Sequence, residues 1–238
     1  MWDIACIEGL FRDGGVSSLV LLNSAEPSCT AEYYVRAAAG SFRVDCRFDV
    51  LIGKNGFGKK REGDLKTPLG EFRALTAFGI KPDPGTMLPY IDVNENIVAC
   101  DSNCRYYNRI VNLAELGDSA EAVSGENMAE LIPEYNYGIA LDYNPECVYP
   151  LGSAIFFHCK GLKSWTGGCI AADEDIVRHI LQTCDHTQRG RFTATGGADQ
   201  HQKFLILDFK VKIGNGSHTA RILFVNMTKR KACHKTSS

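Results

Sequence analysis

Between residues 42 and 50 apolar and charged side chains alternate without a break. Phe42, Val44, Cys46, Phe48 and Val50 share one parity, and Arg43, Asp45, Arg47 and Asp49 the other. A β-strand puts successive side chains on opposite faces, so this run is a half-buried strand with one wet face. Its neighbours fit. A short apolar run spans residues 18–22, and residues 32–38 precede it across Gly40-Ser41, which predicts a hairpin. Further strands are expected at 71–78, 90–100, 136–144 and 154–157, and at 203–213 and 220–227 around the turn Gly214-Asn215-Gly216. Twenty-three glycines and short apolar runs point the same way, to a mainly β fold. One clear helix is expected after Asp173, a capping residue, with Ile176, Val177, Ile180 and Leu181 on one face. Residues 114–131 read as a surface helix or an insertion.

Composition excludes several classes. The chain has 238 residues, 45% hydrophobic and 23% charged, enough to bury a core. A net charge of -2 gives no broad basic field, so no nucleic-acid partner is expected. No window approaches the roughly 20 apolar residues of a membrane span. The start, MWDIACIEGLFRDGG, lacks the basic and apolar regions of a signal peptide. Ten cysteines without a regular framework then imply reduced thiols and a cytoplasmic protein. A cell-envelope protein is implied instead if the chain is exported by another route or is a mature fragment. No metal or other cofactor is expected. Cys100 and Cys104 are four apart, and His179, Cys184 and His186 gather later, but none gives the C-x2-C spacing of structural zinc. Gly53, Gly58 and Lys59 imitate a phosphate-binding loop. Lys60 stands where that motif needs Ser or Thr, and Pro68 follows where a helix should begin.

The chemistry concentrates in residues 152–170, GSAIFFHCKGLKSWTGGCI. An apolar strand delivers His158, a loop follows, and Thr166-Gly167-Gly168-Cys169 closes it. A thiolate is the reactive form of cysteine, and a nearby imidazole can take its proton. The glycines let backbone N–H groups face a developing oxyanion. The expected helix close behind Cys169 would depress its thiol pKa. Cys159 is expected on the opposite face from His158. Tyr106, Tyr107 and Asn108, and again Tyr143 and Asn144, have two open readings: peptide-binding residues of a cleft, or loop residues bonded to backbone.

These residues resemble a known family. GSAIFFHC followed by TGGCI is similar to the catalytic stretch of L,D-transpeptidase (YkuD-type) domains. Residues 53–56 and the run Gly63-Asp64-Leu65-Lys66-Thr67-Pro68-Leu69-Gly70 resemble its upstream G-D-x-x-T-P-x-G element. Tyr106-Tyr107-Asn108 and Asp142-Tyr143-Asn144 resemble elements of one conserved YkuD-like branch. The resemblance implies an L,D-transpeptidase-like β-sandwich over residues 1–185, with one helix after the cysteine. It does not cover residues 186–238, read as an added β hairpin and basic tail packed on the same domain. It also implies a bacterial cysteine acyltransferase of cell-wall biogenesis acting on peptidoglycan stem peptides. Cys169 would be the nucleophile, His158 the base, and the Gly168 and Cys169 amides the oxyanion hole. Thr166, Tyr107, Asn108, Tyr143 and Asn144 would contact substrate. An L,D-carboxypeptidase or amidase, or a silent binding module, are the alternatives. Ala171 stands where many members carry Arg, and His158 precedes Cys169 by only eleven residues.

Overall fold

The alternating run forms β3 (Phe42–Asp49), which exposes Arg43, Arg47 and Asp49 and buries Phe48. It pairs antiparallel with β2 (Ser28–Arg36), which pairs in turn with β1 (Ser18–Ala25). The expected hairpin is therefore present, with a bulge at Tyr33/Tyr34. In this computed structural model the described residues are 17–25, 28–37 and 41–183, residues 7, 8 and 11, and two short strands, 208–210 and 225–227.

A mixed five-stranded sheet lies at the centre. In spatial order it contains β11 (Ile170–Ala172), β10 (Phe156–Cys159), β9 (Gly138–Leu141), β4 (Ala74–Gly79) and β5 (Tyr90–Asp92). β10 and β11 run parallel, as do β4 and β5, while β9 is antiparallel to β10 and β4. Its side chains sort by parity. Ala77, Ile139, Leu141, Phe157, Cys159, Ile170 and Ala172 face one core with Val20, Leu22, Tyr33 and Phe48 of the first sheet. The helix α2 (Glu174–Thr183) closes that core with Val177, Ile180 and Leu181, the face expected from its spacing. Phe78, Ala140 and Phe156 point the other way, against Ile97, Ala99, Met128 and Tyr135. That second layer carries a small sheet in which β6 (Ile97–Cys100) lies between β7 (Ile110–Asn112) and β8 (Gly125–Asn127). The fold is thus mainly β, with few helices, as expected.

Two expectations need correction. Residues 90–100 are two strands in different sheets, β5 and β6, broken by a turn in which Ile97 N–H donates to the Asn94 carbonyl. Residues 114–131 form no long helix. The four-residue α1 (Leu113–Leu116), two 3-10 turns and β8 occupy them. The helix begins at Glu174, close behind Cys169 as expected, with the three-residue β11 between them. In the C-terminal region, β12 (Asp208–Lys210) pairs antiparallel with β13 (Val225–Met227), two fragments of the expected hairpin. The Gly214-Asn215-Gly216 turn, Cys184 and His186 lie outside the described residues. Among the described residues, no helix is long and apolar enough to cross a membrane.

Gly138 lets the central strand pass the second layer. A methyl group there would stand 2.3 Å from the Phe78 ring, which is fully buried and packed edge-on against Tyr135 and Phe156. Gly138→Ala therefore overpacks a rigid aromatic cluster. It should cost about 1–3 kcal/mol of stability, read as a lower urea midpoint with an unchanged slope.

Candidate active site

Parallel pairing of β10 with β11 builds the site. Phe157 stands opposite Ile170 and His158 opposite Ala171. Continuing that register places Cys169 across from Phe156, and the Phe156 N–H donates to Cys169 Sγ at 3.3 Å. His158 and Cys169 then share one face of adjacent strands, displaced by two residues, about 6.6 Å along the strand. Both line a cavity of about 200 Å³ with Tyr135, Glu126, Trp165 and Ala171. That volume holds one side chain or a reacting amide rather than a whole peptide. Cys159 faces the opposite core, as alternation requires, with its thiol toward the Tyr137 carbonyl.

His158 Nδ1 lies 2.7 Å from the carbonyl oxygen of Cys159. A carbonyl only accepts, so Nδ1 carries the proton and Nε2 keeps its lone pair, the form a general base needs. The Tyr135 ring packs edge-on against the imidazole at 5.5 Å. Burial lowers the His158 pKa, which holds the ring neutral despite the opposing pull of the Cys159 carbonyl and of the Glu134 carboxylate and carbonyl. Burial, with the Glu126 carboxylate, also pushes the Cys169 thiol up to about 12, and the Phe156 N–H and the Lys59 charge recover only part of this. The expected depression by a helix N-terminus is not found, because β11 separates Cys169 from α2. The thiol donates instead to the Ala154 carbonyl at 3.1 Å. The resting pair is a neutral thiol and a neutral imidazole.

Thr166 holds the Cys169 backbone rather than presenting a free hydroxyl. Its Oγ1 donates to the Cys169 carbonyl at 2.7 Å and accepts from the Gly168 N–H at 3.2 Å. Thr67 Oγ1 donates to the same carbonyl at 3.3 Å and accepts from the Gly53 N–H at 2.8 Å. The Gly168 amide, expected in the oxyanion hole, is thus engaged by Thr166 in this state. Gly168 itself is required, since its φ of 143° is unfavourable for a side chain and a methyl group would meet the Lys66 carbonyl at 2.8 Å.

The other four expected contact residues act behind the site. Asn108 Oδ1 accepts from the Ala154 N–H at 3.0 Å, and its Nδ2 donates to the carbonyls of Tyr143 and Asn144. Tyr107, fully buried, donates to Glu62 at 2.6 Å and accepts from the Gly152 N–H at 2.9 Å. Tyr143 donates to the Leu151 carbonyl at 2.6 Å, and Asn144 spans the carbonyls of Val148 and Gly152. Together they fix residues 144–154 and so the carbonyl of Ala154, whose φ is 51°. Backbone bonding is the reading they satisfy. Asn108 and Tyr143 also border a second cavity, of about 660 Å³, on the far side of Ala154.

In sequence Lys59 belongs to an imitation of a phosphate loop and Asp64 to the run that resembles the family's upstream element. The structure gives them a different position. The Lys59 side chain is 2% exposed, 3.1 Å from Asp64. Its stem fills the space beside Gly152, where a methyl group would approach Lys59 Cε to 2.5 Å, and its ammonium lies behind Gly168. Burial works to raise the Asp64 pKa. Backbone N–H donors from Lys60, Arg61 and Lys66, with Lys59, overcome this and hold it at about 2. A buried cation behind the Cys169 turn is what sequence could not disclose. Elsewhere, Asp45, Cys46 and His179 bring ligand-type atoms within 4.8 Å of one another, but the Asp45 carboxylate is already shared by Arg43 and His179.

Two outcomes follow. At pH 8 a thiol of pKa 12 is ionised to about one part in ten thousand, so iodoacetamide should label Cys169 about a thousandfold slower than an ordinary thiol. The rate should climb tenfold per pH unit towards pH 12, and a plateau near pH 9 would contradict the burial argument. Lys59→Met leaves the partly exposed Asp64 carboxylate with its three backbone N–H donors but without its cation, and should lower stability by about 1 kcal/mol in urea unfolding.

No family model matches this chain, and no curated protein does.

Proposed function

We propose that this chain is an L,D-transpeptidase-like acyltransferase with Cys169 as nucleophile and His158 as base, acting on peptidoglycan stem peptides. The observation that carries the reading is the shared face. A histidine with a free Nε2 lone pair and a cysteine on the adjacent parallel strand line one cavity. The sandwich-like stacking of the first sheet on the central one is consistent with the fold the motifs imply.

The chemistry proceeds from the resting pair. Substrate entry displaces the Ala154 carbonyl from the thiol, and His158 Nε2 takes the proton as Sγ attacks the peptide carbonyl. Charge on the resulting oxygen is met by the Cys169 amide, and by the Gly168 amide once it leaves Thr166. The buried Lys59 cation, held behind Gly168, favours negative charge at both the thiolate and the oxyanion. His158 then returns its proton to the leaving amine, and a thioester remains. An acceptor amine gives transpeptidation and water gives carboxypeptidation. With Ala171 rather than Arg on the cavity wall, a substrate carboxylate must find another partner.

A second reading, a silent module that binds wall peptides, is favoured by one observation: the thiol at rest is neutral and internally hydrogen-bonded. Tetrapeptide muropeptides analysed by mass spectrometry separate the two. The enzyme should yield 3–3 linked dimers or exchange of the terminal D-residue, or tripeptide alone if water is the acceptor. Cys169→Ala should abolish every product, and His158→Gln should reduce turnover by about 10²–10⁴-fold. Peptide binding with neither product nor an acyl adduct on Cys169 would establish the silent module.

A further inference from the structure

The turn that follows β6 carries two cysteines with no part in the proposed acyl transfer. Cys100 ends the strand and is fully buried, and Cys104 is half-exposed one turn later. Their sulfurs lie 3.4 Å apart, and Ser102 Oγ contacts both, at 3.4 Å and 3.7 Å. Among the described residues this is the one cysteine pair with sulfurs in contact. The backbone pins the arrangement. Cys104 N–H donates to the Ser102 carbonyl, Asn108 N–H to that of Cys100, and Cys100 N–H to that of Arg109. The turn therefore holds two thiols together at high effective concentration.

We propose that Cys100 and Cys104 form a redox-active dithiol that closes to an intramolecular disulfide on reaction with a low-molecular-weight disulfide. The two residues are not equivalent. Partial burial works to raise the Cys104 pKa, but N–H donation from Tyr106 at 3.4 Å and the Ser102 hydroxyl outweigh it, so the thiol lies below its ordinary value. Burial moves Cys100 the other way, and pushes Cys29 and Cys159 up to about 12 and Cys46 to about 11. Cys104 is thus the attacking group and Cys100 the resolving one. The Cys104 thiolate attacks one sulfur of the small disulfide, forming a mixed disulfide and expelling one thiolate, which takes up a proton. Cys100 then loses its proton to solvent and attacks Cys104 Sγ, expelling the second thiolate. The protein loses two protons and two electrons, and the small disulfide is reduced to two thiols.

The pair is also placed to be felt at the active site. Closing a disulfide draws the sulfurs from 3.4 Å to about 2.0 Å. The carbonyls of Cys104 and Cys100 receive the N–H groups of Tyr107 and Asn108, the residues that fix Gly152 and Ala154. Asp101, within the turn, lines the Cys169 cavity.

The test does not rest on the acyl-transfer reading. The full chain is equilibrated in buffers of increasing oxidised glutathione, quenched with an alkylating agent and mapped by peptide mass spectrometry. The peptide containing both residues should lose two hydrogens and carry no glutathione. Cys100→Ser should trap glutathione on Cys104, and Cys104→Ser should leave Cys100 unmodified. The proposal is overturned if both thiols of the natural chain stay alkylatable throughout, if glutathione persists on Cys104, or if Cys104 pairs with a different cysteine. The natural chain decides these outcomes, so a variant that fails to fold does not leave the question open.

Discussion

The parallel register of β10 and β11 is the constraint on which the site depends. Parallel neighbours cannot be joined by a tight turn, so the chain must leave the sheet between Cys159 and Ile170 and return. The excursion is short and carries no helix. It is held by other elements, as Gly53 bridges Thr166 and the Thr166 N–H donates to the Ile52 carbonyl. Once this return is fixed, alternation does the rest. Ile170 and Ala172 enter the main core, and Cys169 and Ala171 emerge on the face that already carries His158. A slip by one residue would bury Cys169 in the main core and turn Ile170 into the cavity.

The electrostatics of that face are those of a closed resting state. Burial disfavours both thiolate and imidazolium, and the carbonyl of Ala154 gives the thiol proton a partner. Ion-pair formation therefore requires a change that exchanges Ala154 for another group. The elements around the site divide accordingly. Thr67 and Thr166 lock the Cys169 carbonyl and fix the position of its side chain. Asn108 and Tyr107 lock the other wall through Ala154 and Gly152. What can yield is the single thiol–carbonyl contact between these two supported walls.

The sequence disclosed what depends on periodicity and local chemistry. The parity of residues 42–50 predicted β3 but not its single wet face, because a bulge turns Phe42 and Val44 to a different cluster from Cys46, Phe48 and Val50; the 3.6-residue spacing after Asp173 predicted α2 with the correct buried face. His158 and Cys169 were legible because a strand, a loop and two glycines constrain where they can go. Residues 170–172 were not read as a strand because three apolar residues carry no measurable period. Residues 90–100 read as one strand because the break lies in Asn94 and Asn96 turn chemistry rather than in hydropathy. Tyr107, Asn108, Tyr143 and Asn144 belonged together, but polar side chains look alike in sequence whether they meet a ligand or the backbone. The hydrogen bonds of Tyr107 and Asn108 run to residues far along the chain, and only the folded chain distinguishes the two cases.

Lys59 shows why a motif must be read with its surroundings. In sequence it completes part of a phosphate loop and appears as one more charge in a glycine-rich segment. Folded, it is enclosed, its carboxylate partner is saturated by backbone N–H groups, and its stem occupies the space left by Gly152. A buried ion pair is weak evidence for stability, because desolvation offsets much of the attraction. Its position is the better explanation for its presence. Gly152 and Gly168 lie on the two walls that flank Cys169, and both have positive φ. Lys59 lies against both, so the cation that packs the walls also opposes the Glu126 carboxylate at the turn between them. Packing and electrostatics at this site therefore cannot be varied independently.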